Sequence, residues 1–117
     1  MLKLAVLLFA IGAVGGLIMA ASVLRGRMAS WALSLIHAAL GAAGLVLTAI
    51  VVLGGSTDVA KIVATALLIL VVAALGGFFL ASFHARKILP PKGVVVLHAG
   101  LAVVGFLLLC GGVFSLI

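Results

Sequence analysis

The sequence predicts an all-α membrane protein, a bundle of four transmembrane helices built from two tandem two-helix repeats in a single domain, residues 1–117. Three observations predict this architecture. The 117-residue chain is 68% hydrophobic and only 7% charged. Four apolar runs each reach the roughly 20 helical residues that span a hydrocarbon core about 30 Å thick, and none alternates as a barrel strand would. The second half of the chain also matches the first at a constant offset of 61 residues.

Short polar segments separate the apolar runs, which cover about residues 4–24, 30–53, 59–83 and 93–116. Ser30 is a predicted N-cap of the second helix, and Trp31 is expected at the membrane interface. Pro90-Pro91 cannot continue the third helix. The turn before that helix offers Ser56 or Thr57 as a cap, followed by Asp58, the only acidic residue of the chain.

The internal repeat appears when the chain is shifted along itself by 61 positions without a gap. The shift superposes Gly15-Gly16 on Gly76-Gly77, Arg25 on Arg86, His37-Ala38 on His98-Ala99 and Gly44 on Gly105. Repeat 1 covers about residues 1–56 and repeat 2 about residues 62–117. Because each repeat holds two helices, both halves cross in the same sense, and the predicted pseudo-twofold axis runs along the membrane normal.

Two histidines lie inside the apolar runs, His37 in the second and His98 in the fourth. An imidazole in hydrocarbon is unfavourable without a partner, so such residues indicate a function. Each lies about two turns, roughly 10 Å, from the arginine-bearing end of its helix. In an up-down bundle the second and fourth helices are diagonal. The repeat therefore presents both imidazoles to the central axis at one level, as the two axial ligands of a haem iron require.

Small residues and second hydrogen-bond partners are expected around this pair. Gly41, Gly44 and Gly105 would leave room for a porphyrin. Ligating histidines usually donate their other ring N–H to a nearby acceptor. The predicted acceptors are the carbonyls four residues earlier, those of Leu33 and Val94.

Cationic residues cluster where haem propionates would reach the interface. Arg25 and Arg86 are the predicted partners, together with His84, which precedes Arg86-Lys87. For His84 two interpretations remain open. It is either a histidine that extends to the interface or a hydrogen-bond donor to an anionic group held just inside the bundle.

The histidine pair is also compatible with roles other than haem binding. Glycine-rich helix faces often serve helix packing, and the two imidazoles could hydrogen-bond a serine or a carbonyl across the bundle. Copper or zinc could use histidine ligands, although no carboxylate or buried thiol lies beside them in the sequence. The single cysteine, Cys110, is predicted to be a buried apolar filler.

The net charge of +6 does not indicate nucleic-acid binding, because the basic residues flank apolar runs instead of forming a patch with aromatics. The partner they indicate is the lipid bilayer. Arg25, Arg27, Arg86, Lys87 and Lys92 lie in the first and third loops. The positive-inside rule therefore places these loops in the cytoplasm and both termini outside, as in a protein of a bacterial inner membrane.

Paired histidines on alternating helices, bordered by glycine and close to one membrane face, resemble the b-type cytochromes, in particular the cytochrome b561-like and related small four-helix haem proteins. The resemblance rests on His37, His98, their flanking glycines and the basic loop ends, and it covers the architecture of the whole chain. Cytochromes b561 carry two haems on four histidines, whereas this chain has two deep histidines. The resemblance implies one haem b and electron transfer.

The expected function is therefore electron transfer by a bis-histidine haem, with a quinone or a redox protein as partner, in a homo-oligomer or a larger membrane complex. The chain is expected to be an electron carrier or an accessory subunit. An enzymatic function, such as quinol oxidation beside the haem, is possible only if the cofactor supplies the chemistry. Two alternatives remain open. The chain could be a cofactor-free accessory or assembly subunit, or a small transporter whose titratable groups are limited to histidines.

Overall fold

The computed structural model describes residues 1–54 and 61–116, which form four helices. Their bounds are α1 Leu2–Leu24, α2 Trp31–Leu53, α3 Lys61–Ala85 and α4 Lys92–Val113. Each helix has 22 to 25 residues and is long and apolar enough to cross a membrane. The prediction of an all-α fold with four membrane-length helices is confirmed. The predicted caps Ser56, Thr57 and Asp58 lie outside the described residues.

Local sequence accounts for the helix ends. The Ser30 hydroxyl accepts a hydrogen bond from the backbone N–H of Leu33 at 3.2 Å, which confirms the predicted cap of α2. Gly26 follows α1 with a φ of +80°, and Lys87 follows α3 with a φ of 58°. Both residues occupy the left-handed position that commonly terminates a helix. The two loops that carry most of the basic residues therefore begin in the same way.

The four helices occupy the corners of a bundle. Among the described residues, α1 packs against α2 and α4, and α3 packs against α4 and α2. The two diagonals are therefore α1–α3 and α2–α4, as predicted. The α2–α3 contact is the smallest of the four. The helices that carry His37 and His98 consequently face each other across the centre of the bundle.

A hydrophobic cluster fills the half of the bundle that is remote from the basic loops. Its buried members are Val63, Ala66, Leu70 and Leu109, and partly buried residues from all four helices pack around them. These residues lie toward the start of α3 and the end of α4. The other half of the bundle contains the histidines.

Replacing Gly112 by Ala is expected to destabilise this cluster. The added Cβ would lie 2.7 Å from the Cγ2 atoms of both Ile62 and Val63. Overpacking of this kind costs about 1–3 kcal/mol of unfolding free energy. Thermal unfolding in detergent, followed by circular dichroism, measures the loss. The matched control is Gly100→Ala, since no atom lies within 4 Å of its added Cβ; equal stability of the two variants would contradict the packing argument.

Candidate functional site

His37 and His98 meet at the centre of the bundle, although no backbone contact joins their helices among the described residues. Their ring centroids lie 6.4 Å apart, and the ring planes are inclined by 81°. The side chains alone therefore bridge the α2–α4 diagonal. The prediction that the two imidazoles face each other across the bundle is confirmed.

Each imidazole makes one hydrogen bond to a carbonyl of a neighbouring helix. The Nδ1–H of His37 donates to the Gly12 carbonyl at 2.8 Å, and that of His98 donates to the Ala73 carbonyl at 2.7 Å. A carbonyl can only accept, so Nδ1 carries the proton in both rings. In the neutral imidazoles Nε2 then keeps its lone pair. Both histidines can therefore bind a metal through Nε2 while Nδ1 holds the ring in place.

These partners differ from the predicted carbonyls of Leu33 and Val94, and that prediction is wrong. The acceptors lie on the facing helices α1 and α3, because each ring extends sideways across the helix pair. Gly12 and Ala73 both lie 25 residues before the histidine that they bind. A small side chain at each position leaves the carbonyl accessible, which is the signal in the sequence that could have identified them.

Two glycines that were not among the predicted site residues, Gly16 and Gly77, form the surfaces against which the imidazole rings pack. A Cβ added at Gly16 would lie 2.7 Å from Cε1 of His37, and one added at Gly77 would lie 3.1 Å from Cε1 of His98. Each ring therefore occupies space that a larger residue would fill. Because Gly16 and Gly77 have no side chain, the imidazoles can pack directly against the backbones of α1 and α3.

A cavity of about 680 Å³ surrounds the histidine pair. All four helices line it with mainly apolar residues, and the polar groups are concentrated at His37, His98, His84, Ser34 and Trp31. Ligand sites in proteins typically have volumes of about 300–1,000 Å³ and a few converging polar groups. The size and the lining of the cavity match this description.

The glycines expected to make room for a porphyrin have different surroundings. Gly41 lines the cavity, and no atom lies within 4 Å of its added Cβ. A Cβ at Gly44 would lie 2.8 Å from the ring of Phe9, and one at Gly105 would lie 2.8 Å from Leu70. Gly44 and Gly105 therefore accommodate these two side chains, and Gly41 leaves open space.

His84 is buried, with 9% of its surface exposed, so the interpretation of a side chain extended to the interface is wrong. Its ring stacks on Trp31, with centroids 4.0 Å apart and planes inclined by 15°. The indole covers one face of the imidazole. Both residues line the cavity, so the alternative role for His84, as a donor to a group inside the bundle, stays a prediction.

The two predicted arginines lie at the loop end of the bundle and are exposed. Arg86 folds back on its own helix. Its Nε donates to the Ser82 carbonyl at 3.1 Å, and the guanidinium lies 4.6 Å from the centroid of Phe83. Arg25 is the C-cap of α1. In this arrangement neither guanidinium lines the cavity.

The separation of the two rings is close to that of two imidazoles bound to a single metal ion. Metal–imidazole bonds of about 2 Å on opposite sides of one ion would separate the ring centroids by about 6 Å, and the observed distance is 6.4 Å. Within residues 1–54 and 61–116, no group of three or more His, Cys, Asp or Glu side chains meets. Because a haem brings four nitrogen ligands of its own, it needs only the two that this site provides.

Comparison of the chain with protein-family models, with curated proteins and with solved structures finds no match. The function is therefore inferred from the geometry of the bundle and its cavity.

Proposed function

We propose that this chain is an integral membrane protein that binds one haem b between His37 and His98 and carries electrons. The observation that carries the proposal is the pair of imidazoles 6.4 Å apart, each fixed through Nδ1 by a hydrogen bond to a carbonyl, so that Nε2 is the nitrogen that keeps the lone pair. The cavity of about 680 Å³ around them supports it. When bound, the haem would supply one-electron redox chemistry, and ligation by both histidines would favour electron transfer over oxygen binding.

The proposal includes the internal repeat, which matched contacts support. His37 and His98 each bind a carbonyl 25 residues earlier. The contacts of Gly16 with the His37 ring and of Gly77 with the His98 ring are also related by the 61-residue offset. A repeated hairpin explains how one chain can place two identical ligands on either side of a central axis.

The chain's own residues have distinct roles in this proposal. His37 and His98 would hold the haem iron through their Nε2 atoms. The carbonyls of Gly12 and Ala73 fix the imidazole tautomer and the ring orientation, as hydrogen bonds to ligating histidines generally do. In this proposal Gly41 leaves open space for the porphyrin beside the rings. Gly44 and Gly105 instead allow Phe9 and Leu70 to pack closely against the helix backbones.

Arg25, Arg86 and His84 are the proposed partners of the haem propionates. Arg86 now pairs with Ser82 and Phe83, so its guanidinium would have to rotate away from its own helix. Charge-assisted hydrogen bonds to a carboxylate are stronger than these contacts. The positions of the basic loops also favour a cytoplasmic location for this end of the bundle, and a quinone or a redox protein is the proposed electron partner.

Optical spectra of the purified protein, oxidised and reduced, test the proposal. We expect a Soret band and the sharp α and β bands of a low-spin haem after reduction, at one haem per chain. The pyridine haemochrome assay measures the stoichiometry. A protein that remains colourless after expression with excess haem, and after titration with hemin, would overturn the proposal.

The hydrogen bonds to Gly12 and Ala73 also favour a second candidate, a cofactor-free accessory subunit of a larger membrane complex. In that function the imidazoles would act as cross-links between helices, since each joins two helices of a hairpin. A buried neutral hydrogen bond contributes about 0.5–1.5 kcal/mol to stability. The optical spectra distinguish the two candidate functions, because a histidine pair that only cross-links helices binds no haem and gives no Soret band.

A further inference from the structure

The cavity around His37 and His98 reaches the outside of the bundle between α2 and α3. Leu35 of α2 and Phe78 of α3 both line it, yet 62% and 71% of their surfaces are exposed. These two helices also make the smallest contact in the bundle. This side of the cavity is therefore bounded by loosely packed helices. On the other side, Leu17 of α1 and Val103 of α4 also line the cavity and are exposed.

One aromatic contact bridges this gap. Trp31, at the start of α2, stacks on His84, near the end of α3, with centroids 4.0 Å apart. The indole is half exposed while the imidazole is buried. A stacked aromatic pair contributes energy beyond its buried area, so this contact stabilises the closed arrangement at the loop end of the gap.

The opposite face of the bundle has no such pair. At the positions related by 61 residues, Lys92 corresponds to Trp31, and Val23 corresponds to His84. The groove between α1 and α4 is lined by aliphatic residues and glycine. The two faces therefore differ at the residues best suited to a flat ligand, since Trp31, His84 and Phe78 are all on the α2–α3 side.

We propose that the α2–α3 gap is a lateral opening through which haem dissolved in the bilayer reaches the histidines. The Trp31–His84 stack holds this opening closed. The inference rests on the proposed function for the identity of the ligand. A porphyrin is flat and largely apolar, and it has an anionic edge. It would pass between aromatic rings and leave that edge at the basic end of the bundle, where the two arginines lie.

The first test measures the rate of haem loss from purified protein to excess apomyoglobin. His84→Ala should accelerate the loss by about 2- to 12-fold, the equivalent of one aromatic contact, without changing the low-spin spectrum. His84→Phe keeps a stacking ring but loses the donor to the propionate, so it should lose haem more slowly than His84→Ala. Val23→Ala is the change at the position related to His84 by the repeat; Val23 also lines the cavity, so its truncation should accelerate the loss less than His84→Ala does. A wild-type rate in His84→Ala, or equal acceleration in Val23→Ala, overturns the inference.

The second test needs no haem, because Trp31 is the only tryptophan of the chain. Haem-free protein is reconstituted in phosphatidylcholine vesicles with and without bromine on the acyl chains, and the ratio of the two emissions is compared between variants. An opening predicts stronger quenching in His84→Ala than in wild type, and no change in Val23→Ala. Equal quenching overturns the opening. If the protein never takes up haem but His84→Ala shows the stronger quenching, the proposed function is refuted and the lateral opening still stands.

Discussion

Replacing either His37 or His98 by Ala is expected to abolish the low-spin haem spectrum. Each histidine supplies one axial nitrogen, and the described residues hold no further side chain at the pair that could replace it. Loss of one ligand leaves either no haem or a five-coordinate, high-spin form. Absorption spectra of the oxidised and reduced proteins, with haem content per chain, measure the change.

Two controls separate ligation from the structural role of the same side chains. His84→Ala should keep the low-spin spectrum, because His84 stacks on Trp31 away from the central pair. His37→Gln keeps an N–H that can donate to the Gly12 carbonyl but removes the imidazole nitrogen, so it should fold like wild type and lose the spectrum. If both alanine variants keep the wild-type spectrum, the ligand assignment is wrong.

The bundle itself was predictable because its main determinants are local. An apolar run of sufficient length specifies a membrane-length helix, and short loops make neighbours in the chain neighbours in space. The repeat then added one long-range constraint. It placed His37 and His98 at the same depth and on the same diagonal, and their rings do meet.

The hydrogen-bond partners and the stacking were not predictable in this way. Which carbonyl accepts from His37 depends on the rotation of α2 against α1, and a helix that is apolar on all sides provides no periodic signal for that rotation. In the sequence, only the short distance from His84 to Arg86 indicates the depth of the His84 side chain, and it does not indicate what packs on the ring. The indole that covers it comes from another helix, 53 residues earlier in the chain.

Replacing Gly16 by Ala is expected to weaken haem binding more than any other single methyl group added at the site. The new Cβ would lie 2.7 Å from Cε1 and 3.2 Å from Nδ1 of His37. The ring must move, which strains its hydrogen bond to the Gly12 carbonyl. An overpacking cost of about 1–3 kcal/mol corresponds to a loss of affinity of about 5- to 150-fold. Hemin titration, followed at the Soret band, measures the dissociation constant.

The other glycines of the site provide a graded series. Gly77→Ala should have a smaller effect, since its Cβ would lie 3.1 Å from Cε1 of His98 and no closer than 3.7 Å to the ring nitrogens. Gly41→Ala should bind haem like wild type, because its Cβ would meet nothing within 4 Å. The ¹⁵N signal of the His37 Nδ1–H in haem-free protein should shift in Gly16→Ala and stay unchanged in Gly41→Ala. Equal affinities across the three variants would show that close contact with glycine does not position the imidazoles.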